Sequence, residues 1–230
     1  MSGATDLDKL AGACRDQLGP QSEWFRPNGY PDSLALCIID SIQSTGAHYN
    51  SVLNVVNRYR ELRADAAATD GTAELLASFD QLGGARNWAK KVGNFKAAST
   101  KRGASLKADV MHDVAQKLHD AGIRMSAQFR EHGELAAGNE DRRAALKKLW
   151  TSAEAQRSGI TFEYALMLAG LPGVKSDRMV LRFVSTAIGR SDLTPTTCAT
   201  LVRDAADHLG VDATTLDHAI WRKASGRANN

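Results

Sequence analysis

Apolar residues recur along this chain at three- and four-residue spacing, the period of an amphipathic helix, and no stretch alternates as a half-buried strand would. Leu7, Leu10, Ala11 and Leu18 predict a first helix over Thr5 to Leu18. Leu34, Leu36, Ile38, Ile39 and Ile42 predict a second over Ser33 to Ser44, with Asp32 as its cap. Further helices are predicted at Tyr49 to Leu62, Thr72 to Phe79 and Asp109 to Ala121, the last turning Val110, Val114 and Leu118 inward. Thr196 to Leu209, entered through Thr194-Pro195, and Leu216 to Lys223, behind Thr214, complete the series. Gln21 to Pro31 and Gly133 to Gly138 lack the period and are expected as loop and linker. The expected fold class is all-α.

The pattern is most informative between Leu146 and Arg182. Ala144 to Trp150 is a basic amphipathic run, and the small polar residues from Ser152 to Gly159 cannot sustain a long helix. Ile160 to Ala169 is apolar with helical period until Gly170, Pro172 and Gly173 end it. Asp177 then precedes Met179, Val180, Leu181, Phe183 and Val184, which places it at the start of a buried helix.

This layout resembles the helix-hairpin-helix DNA glycosylase superfamily, the group that includes endonuclease III, MutY and AlkA. There a hairpin grips one DNA backbone through main-chain N–H groups. A catalytic Asp follows at the N-terminus of the next helix, in a pattern like D-x-x-[IV]-x-R. Asp177-Arg178-Met179-Val180-Leu181-Arg182 is similar to that pattern, and Ser158 and Gly159 stand at the end of the hairpin. Ser41-Ile42-Gln43-Ser44-Thr45 resembles the family's S-A-Q-A-T-D segment, whose Gln fills the gap left by an extruded base. A rival alignment takes Leu171-Pro172-Gly173-Val174 as the hairpin opening and makes Asp192 the carboxylate. It has Lys175 where a glycine is expected and no Arg trailing Asp192.

The resemblance implies a two-lobed helical fold with a DNA and base cleft between the lobes. Residues 1–31 with 190–230 would form one lobe, and residues 32–189 the core lobe, with the hairpin at about 149–160. It implies base excision: a modified base is flipped out of double-stranded DNA and its N-glycosidic bond is hydrolysed, leaving an abasic site. Asp177 would stabilise the oxocarbenium-like sugar and orient water. Ser158, Gly159, Lys175 and Arg178 would contact DNA beside it, and Gln43 and Ser41 would face the vacated stack. Bifunctional members carry a Lys in the hairpin as a Schiff-base nucleophile, and none is available near Gly159, so a monofunctional enzyme is implied. The family's iron–sulfur cysteines are absent, since no Cys lies beyond Cys198. Damaged bases are the family's usual substrates. One branch excises glucosylated hydroxymethylcytosine from phage DNA, as antiviral defence.

Bulk properties refine this picture only a little. The chain has 230 residues, 43% hydrophobic and 24% charged, which suits one or two ordinary globular domains. A net charge of +3 does not by itself point to nucleic acid, but the distribution of charge does. From Gly83 to Lys107 the chain carries Arg86, Lys90, Lys91, Lys96, Lys101, Arg102 and Lys107 without one acidic residue. Lys96, Lys101, Arg102 and Lys107, interleaved with Asn, Ser, Thr and Gly, are candidate phosphate contacts. Trp24, Phe25 and Tyr30 share one loop, where they either stack on a base or close over the core.

Cys14, Cys37 and Cys198 are isolated, and His112 and His119 belong to no ligand-like cluster, so neither disulfides nor a metal are expected. The resemblance implies no other cofactor. The N-terminus is polar and no apolar run reaches about 18 residues, so a cytoplasmic protein without a membrane span is expected, acting as a monomer. Two alternatives stand beside the glycosylase: a non-catalytic DNA-binding or damage-sensing protein on the same scaffold, and a helical protein-interaction module.

Overall fold

The computed structural model describes residues 5–226, and every regular element among them is helical. The α-helices are α1 (Asp6–Gln17), α2 (Leu34–Gln43), α3 (Tyr49–Arg63), α4 (Thr72–Gln81), α5 (Ala85–Lys91) and α6 (Lys107–Asp120). They continue with α7 (Ser126–Gly133), α8 (Glu140–Thr151), α9 (Ile160–Leu168), α10 (Arg178–Ile188), α11 (Pro195–Leu209) and α12 (Ala213–Ala224). Short 3-10 turns cover Gln21–Glu23 and Ala64–Ala68. The one β-like pairing among the described residues is an isolated bridge between Ala97 and Leu106.

The chain forms two compact units, Asn28–Leu171 and the combination of Met1–Pro27 with Pro172–Asn230. The boundary departs from the sequence reading at both ends. Residues 28–31 join the larger unit because Tyr30 N–H donates to Leu168 O at 2.6 Å, with Gly29 so close to that carbonyl that a Cβ would collide with it. Residues 172–189 join the other unit because α10 buries Val180, Phe183, Val184 and Ile188 among α1, α11 and α12.

The larger unit is built around α2, of which every residue is buried. A helix that is apolar on nearly all sides has to be surrounded, and α3, α6 and α9 pack about it. Its N-cap is Ser33, whose Oγ accepts the Leu36 N–H at 3.3 Å, so the expected cap at Asp32 moves by one residue. Phe79 stacks on Trp88 at 4.7 Å between α4 and α5, while Phe129, Trp150 and Phe162 interlock α7, α8 and α9. Full burial of such side chains contributes about 1.5–3 kcal/mol each. Trp150 Nε1 donates to Thr161 Oγ1 at 2.9 Å, which fixes α8 against α9 across the intervening loop.

Two helices were not expected from the pattern. α5 is short and polar but buries Trp88 and Ala89, and α7 is held by Phe129. No described helix is long and apolar enough to cross a membrane.

Candidate functional site

Asp177 is the N-cap of α10, with extended backbone and a half-buried side chain. Its Oδ1 accepts the N–H groups of Met179 at 2.8 Å and Val180 at 3.2 Å. Both cap bonds fall on one oxygen, so Oδ2 takes no part in the cap. The site is favourable for negative charge, because the unpaired N–H groups of a helix start carry partial positive charge. Arg182, one turn along, donates to Ala224 O at 3.0 Å and pins α10 to the end of α12.

The loop that delivers Asp177 is held by one turn of α12. Thr214 Oγ1 accepts the Gly173 N–H at 2.9 Å and returns a bond to Gly173 O at 3.3 Å. Asp217 Oδ1 accepts the Lys175 N–H at 3.1 Å. Thr214 is 4% exposed and Asp217 5%. Burial raises the Asp217 pKa well above the ordinary carboxylate value, and the charge of Asp177 raises it further, against smaller lowering by Lys175 and its N–H. Cys198 of α11 belongs to the same cluster. Burial pushes its thiol up to about 11, the Ser176 hydroxyl opposes that, and Asp217 and Asp177 add to it. Asp177 and Asp217 meet through this loop, one capping α10 and the other holding the Lys175 N–H.

Asp192 has no comparable setting. It is exposed and paired with Arg190, Nε to Oδ1 at 3.0 Å and Nη2 to Oδ2 at 2.9 Å, which holds its pKa below the ordinary value. The N-cap of the helix that follows is Thr194. The run Leu171 to Val174 is non-helical chain between α9 and α10.

The α8–α9 connection places Ser158 at the surface and Gly159 inside. Gly159 is left-handed at φ 72°, and its N–H is already given to Gln156 O at 3.0 Å. Ser158 Oγ accepts the Ile160 N–H at 3.4 Å. Arg178 is exposed beside Asp177, and Lys175 is half-buried.

Three of the residues expected to touch DNA lie in the core instead. Ser41 is fully buried and its hydroxyl donates to Ile38 O. Gln43 is 1% exposed, and its Nε2 has no hydrogen-bond partner. Lys107 is 3% exposed and donates from Nζ to Gln43 O and Thr45 O, so it closes the end of α2 rather than meeting phosphate. The reason is shared: α2 is enclosed on all sides to its last residue, and a helix start is packed across that end.

Lys96, Lys101 and Arg102 do reach solvent. They lie on the excursion between α5 and α6, whose base is fastened by Lys107 N–H to Lys96 O at 2.9 Å and Ala98 N–H to Ser105 O at 2.8 Å. Glu154, from the α8–α9 loop, accepts the Ser105 N–H at 3.2 Å and its hydroxyl at 2.6 Å, so the patch is less uniformly basic in space than in sequence. The same excursion exposes Phe95, 54% accessible, with the Arg86 guanidinium 5.8 Å from its ring centroid.

The aromatic loop divides. Trp24 and Phe25 line a cavity of about 400 Å3 with Gln17, His218, Arg222 and Lys223. His218 meets Phe25 edge-on at 4.7 Å, and the Arg222 guanidinium lies 5.1 Å from the Phe25 centroid. Burial, with the Arg222 charge, lowers the His218 pKa. Trp24 Nε1 is occupied by Leu18 O at 3.2 Å. Tyr30 belongs to the other unit, where its hydroxyl donates to the buried Asp40 at 2.9 Å and its ring carries Arg60.

Pattern reading missed Asp217, Thr214, Phe95 and Arg222 as site residues. Asp217 and His218 had a signal, since they sit in an Asp-His-Ala-Ile-Trp string on a late helix. Phe95 had only its place inside the basic run. Among the described residues no grouping of His, Cys, Asp and Glu is arranged to hold a metal ion. No curated protein and no solved structure matches the chain. Residues 8–225 match one family over nearly their whole length, and the chain therefore belongs to the family described as Domain of unknown function (DUF8548).

Proposed function

We propose that this protein is a monofunctional DNA glycosylase of the helix-hairpin-helix kind, with Asp177 as its catalytic carboxylate. The observation that supports this reading most directly is the setting of Asp177. It has one oxygen committed to a helix cap, a second outside the cap, and a buried acid next to it. Breaking an N-glycosidic bond leaves positive charge on the sugar, and a fixed carboxylate lowers the barrier by facing that charge. Asp177 also orients the attacking water. The water's oxygen bonds to the sugar carbon as the base departs with the bonding pair, and a proton passes from that water to the carboxylate.

The other features serve this chemistry in parts. Lys96, Lys101 and Arg102 hold phosphates, and Trp24 and Phe25 offer flat surfaces for an extruded base, with Arg222 and His218 beside them. The α8–α9 connection carries no lysine of its own, and Lys147 of α8, whose side chain comes up against Gly159, is ion-paired with Glu163 at 3.2 Å, so the reading assigns no Schiff-base route. The protein works in the cytoplasm, as a monomer on double-stranded DNA with a modified base. The insertion role of Gln43 is not part of the proposal, because that side chain is enclosed.

The test is release of free base from a panel of modified duplexes and from phage genomic DNA containing glucosylated hydroxymethylcytosine, with wild type and Asp177→Asn compared. Release by wild type that disappears in the variant supports the proposal and sorts repair from phage defence. Tight binding to abasic DNA without any release would make the protein a sensor. Absence of salt-dependent DNA binding would leave the protein-interaction module.

A further inference from the structure

We infer that Asp217 is a positioning residue for Asp177, holding from within α12 the loop that sets the direction of the catalytic carboxylate. The inference rests on the reading of Asp177 given above and deepens it. Thr214 and Asp217 lie three residues apart, on one face of a single helical turn. Thr214 takes both main-chain groups of Gly173, and Asp217 takes the N–H of Lys175. Asp177 N–H in turn donates to Lys175 O at 2.6 Å, so the peptide units around Lys175 link Asp217 to Asp177. The α12 turn therefore fixes the loop at Gly173 and at Lys175, and the α10 cap fixes it at Asp177.

A buried acid is an unusual choice for this job, since a serine or asparagine would also accept an N–H. Its effect is electrostatic. The charged and titratable groups facing Asp217 are Asp177 and Lys175 from the loop and Cys198 from α11. His218 and Arg222, on its own helix, line the aromatic cavity. Burial and the Asp177 charge both oppose ionisation, so Asp217 holds its proton to higher pH than an ordinary carboxylate. While Asp217 holds its proton, the negative charge proposed to face the sugar lies on Asp177 alone. Ionisation of Asp217 as pH rises would place a second charge beneath the loop and disturb the first.

The test uses the full chain and two variants. Asp217→Asn keeps an oxygen for the Lys175 N–H and cannot ionise. Asp217→Ala removes the acceptor. Base release by Asp217→Asn should stay within about threefold of wild type at pH values where wild type is fully active, and the fall in wild-type kcat on raising the pH should be absent from it. Asp217→Ala should lose more than about tenfold in kcat with little change in KM.

Two readouts need no activity. The Lys175 amide should be protected from hydrogen exchange in wild type and Asp217→Asn but not in Asp217→Ala. The melting temperature of Asp217→Asn should rise relative to wild type as pH climbs above the ordinary carboxylate value of 3.8. The sign follows from linkage: an acid whose folded pKa is raised contributes stability below its unfolded pKa and loses it as pH rises toward the folded one. An Asn variant as inactive as the Ala variant, an unprotected wild-type Lys175 amide, or a melting difference independent of pH would overturn the inference. If wild type released no base from any DNA while exchange and melting behaved as expected, the glycosylase reading would fail and the Asp217 tie would stand.

Discussion

Lys107 Nζ donates to the main-chain oxygen of Gln43 at 2.7 Å, so two residues whose sequence context points to DNA are bonded to each other inside the larger unit. A second bond runs to Thr45 O at 2.6 Å. A cation at the end of α2 satisfies carbonyls that the helix itself cannot, and it lies at the negative end of the helix dipole. Burial, aided by the nearby Lys96 charge, pushes the Lys107 pKa down to about 8.

Lys107→Met should therefore lower stability, by about 1–3 kcal/mol for each carbonyl left without a donor. It should leave the salt dependence of DNA binding unchanged. The stability gap should also depend on pH. A group with a depressed folded pKa contributes its linkage stability above the unfolded value, ordinarily 10.5, and loses it as pH falls through about 8. Chemical denaturation of both proteins between those limits measures it. The gap should widen as pH rises, and a constant gap would mean that Lys107 is not desolvated.

Lys96, Lys101 and Arg102 are the exposed members of the same run. Replacing each with Ala should weaken binding to all DNA sequences alike and flatten the salt slope by about one unit per lost contact. Phe95→Ala should behave differently. Its ring is 54% exposed, and stacking on a base is worth about 1–3 kcal/mol without releasing counterions. Affinity should fall with the slope unchanged. A change of slope in Phe95→Ala would show that the ring acts by positioning Arg86 instead.

These contrasts show what a linear pattern can and cannot carry. Period located α1, α2, α3, α4, α6, α9, α10, α11 and α12 because each buries residues of its own at helical spacing. It missed α5, whose burial rests on Trp88 and Ala89 in an otherwise basic segment. Asp177 was legible because a cap is a local device, written within three residues. Ser41, Gln43 and Lys107 were misplaced because polarity suggests a surface, and only tertiary packing reveals that the end of α2 is closed. Asp217 acts across 42 residues on Lys175, a partnership with no local trace.

Gln43 offers a direct check on that closure. Its Nε2 is buried without an acceptor, which costs about 1–3 kcal/mol relative to a satisfied group. Gln43→Met has similar volume and no polar atoms, so it should be neutral or stabilising in thermal unfolding. If base release is found, the substitution should alter matched and mismatched duplexes equally. A selective loss on matched DNA would mean that the end of α2 opens on binding and that Gln43 enters the stack after all.

Asp177→Asn separates charge from shape at the proposed centre. Asparagine is as good an N-cap as aspartate, so its oxygen can still accept from Met179 and Val180. Only the interaction of the charge with the helix start is lost, about 0.3–1 kcal/mol, and folding should survive nearly intact. Base release should fall by about 100-fold or more, because a transition-state charge loses its counter-charge. DNA affinity should hold or rise slightly, since a negative group has left the site. Asp192→Asn should do none of this, because its carboxylate is exposed and committed to Arg190. The same substitution should act on Asp217: with the neighbouring charge gone, one of the two causes that raise its pKa disappears. Carboxyl titration followed by NMR in Asp177→Asn should then show Asp217 ionising at lower pH than in wild type. Loss of base release without that shift would mean that the two carboxylates do not share a site, and Asp177 would have to act without Asp217.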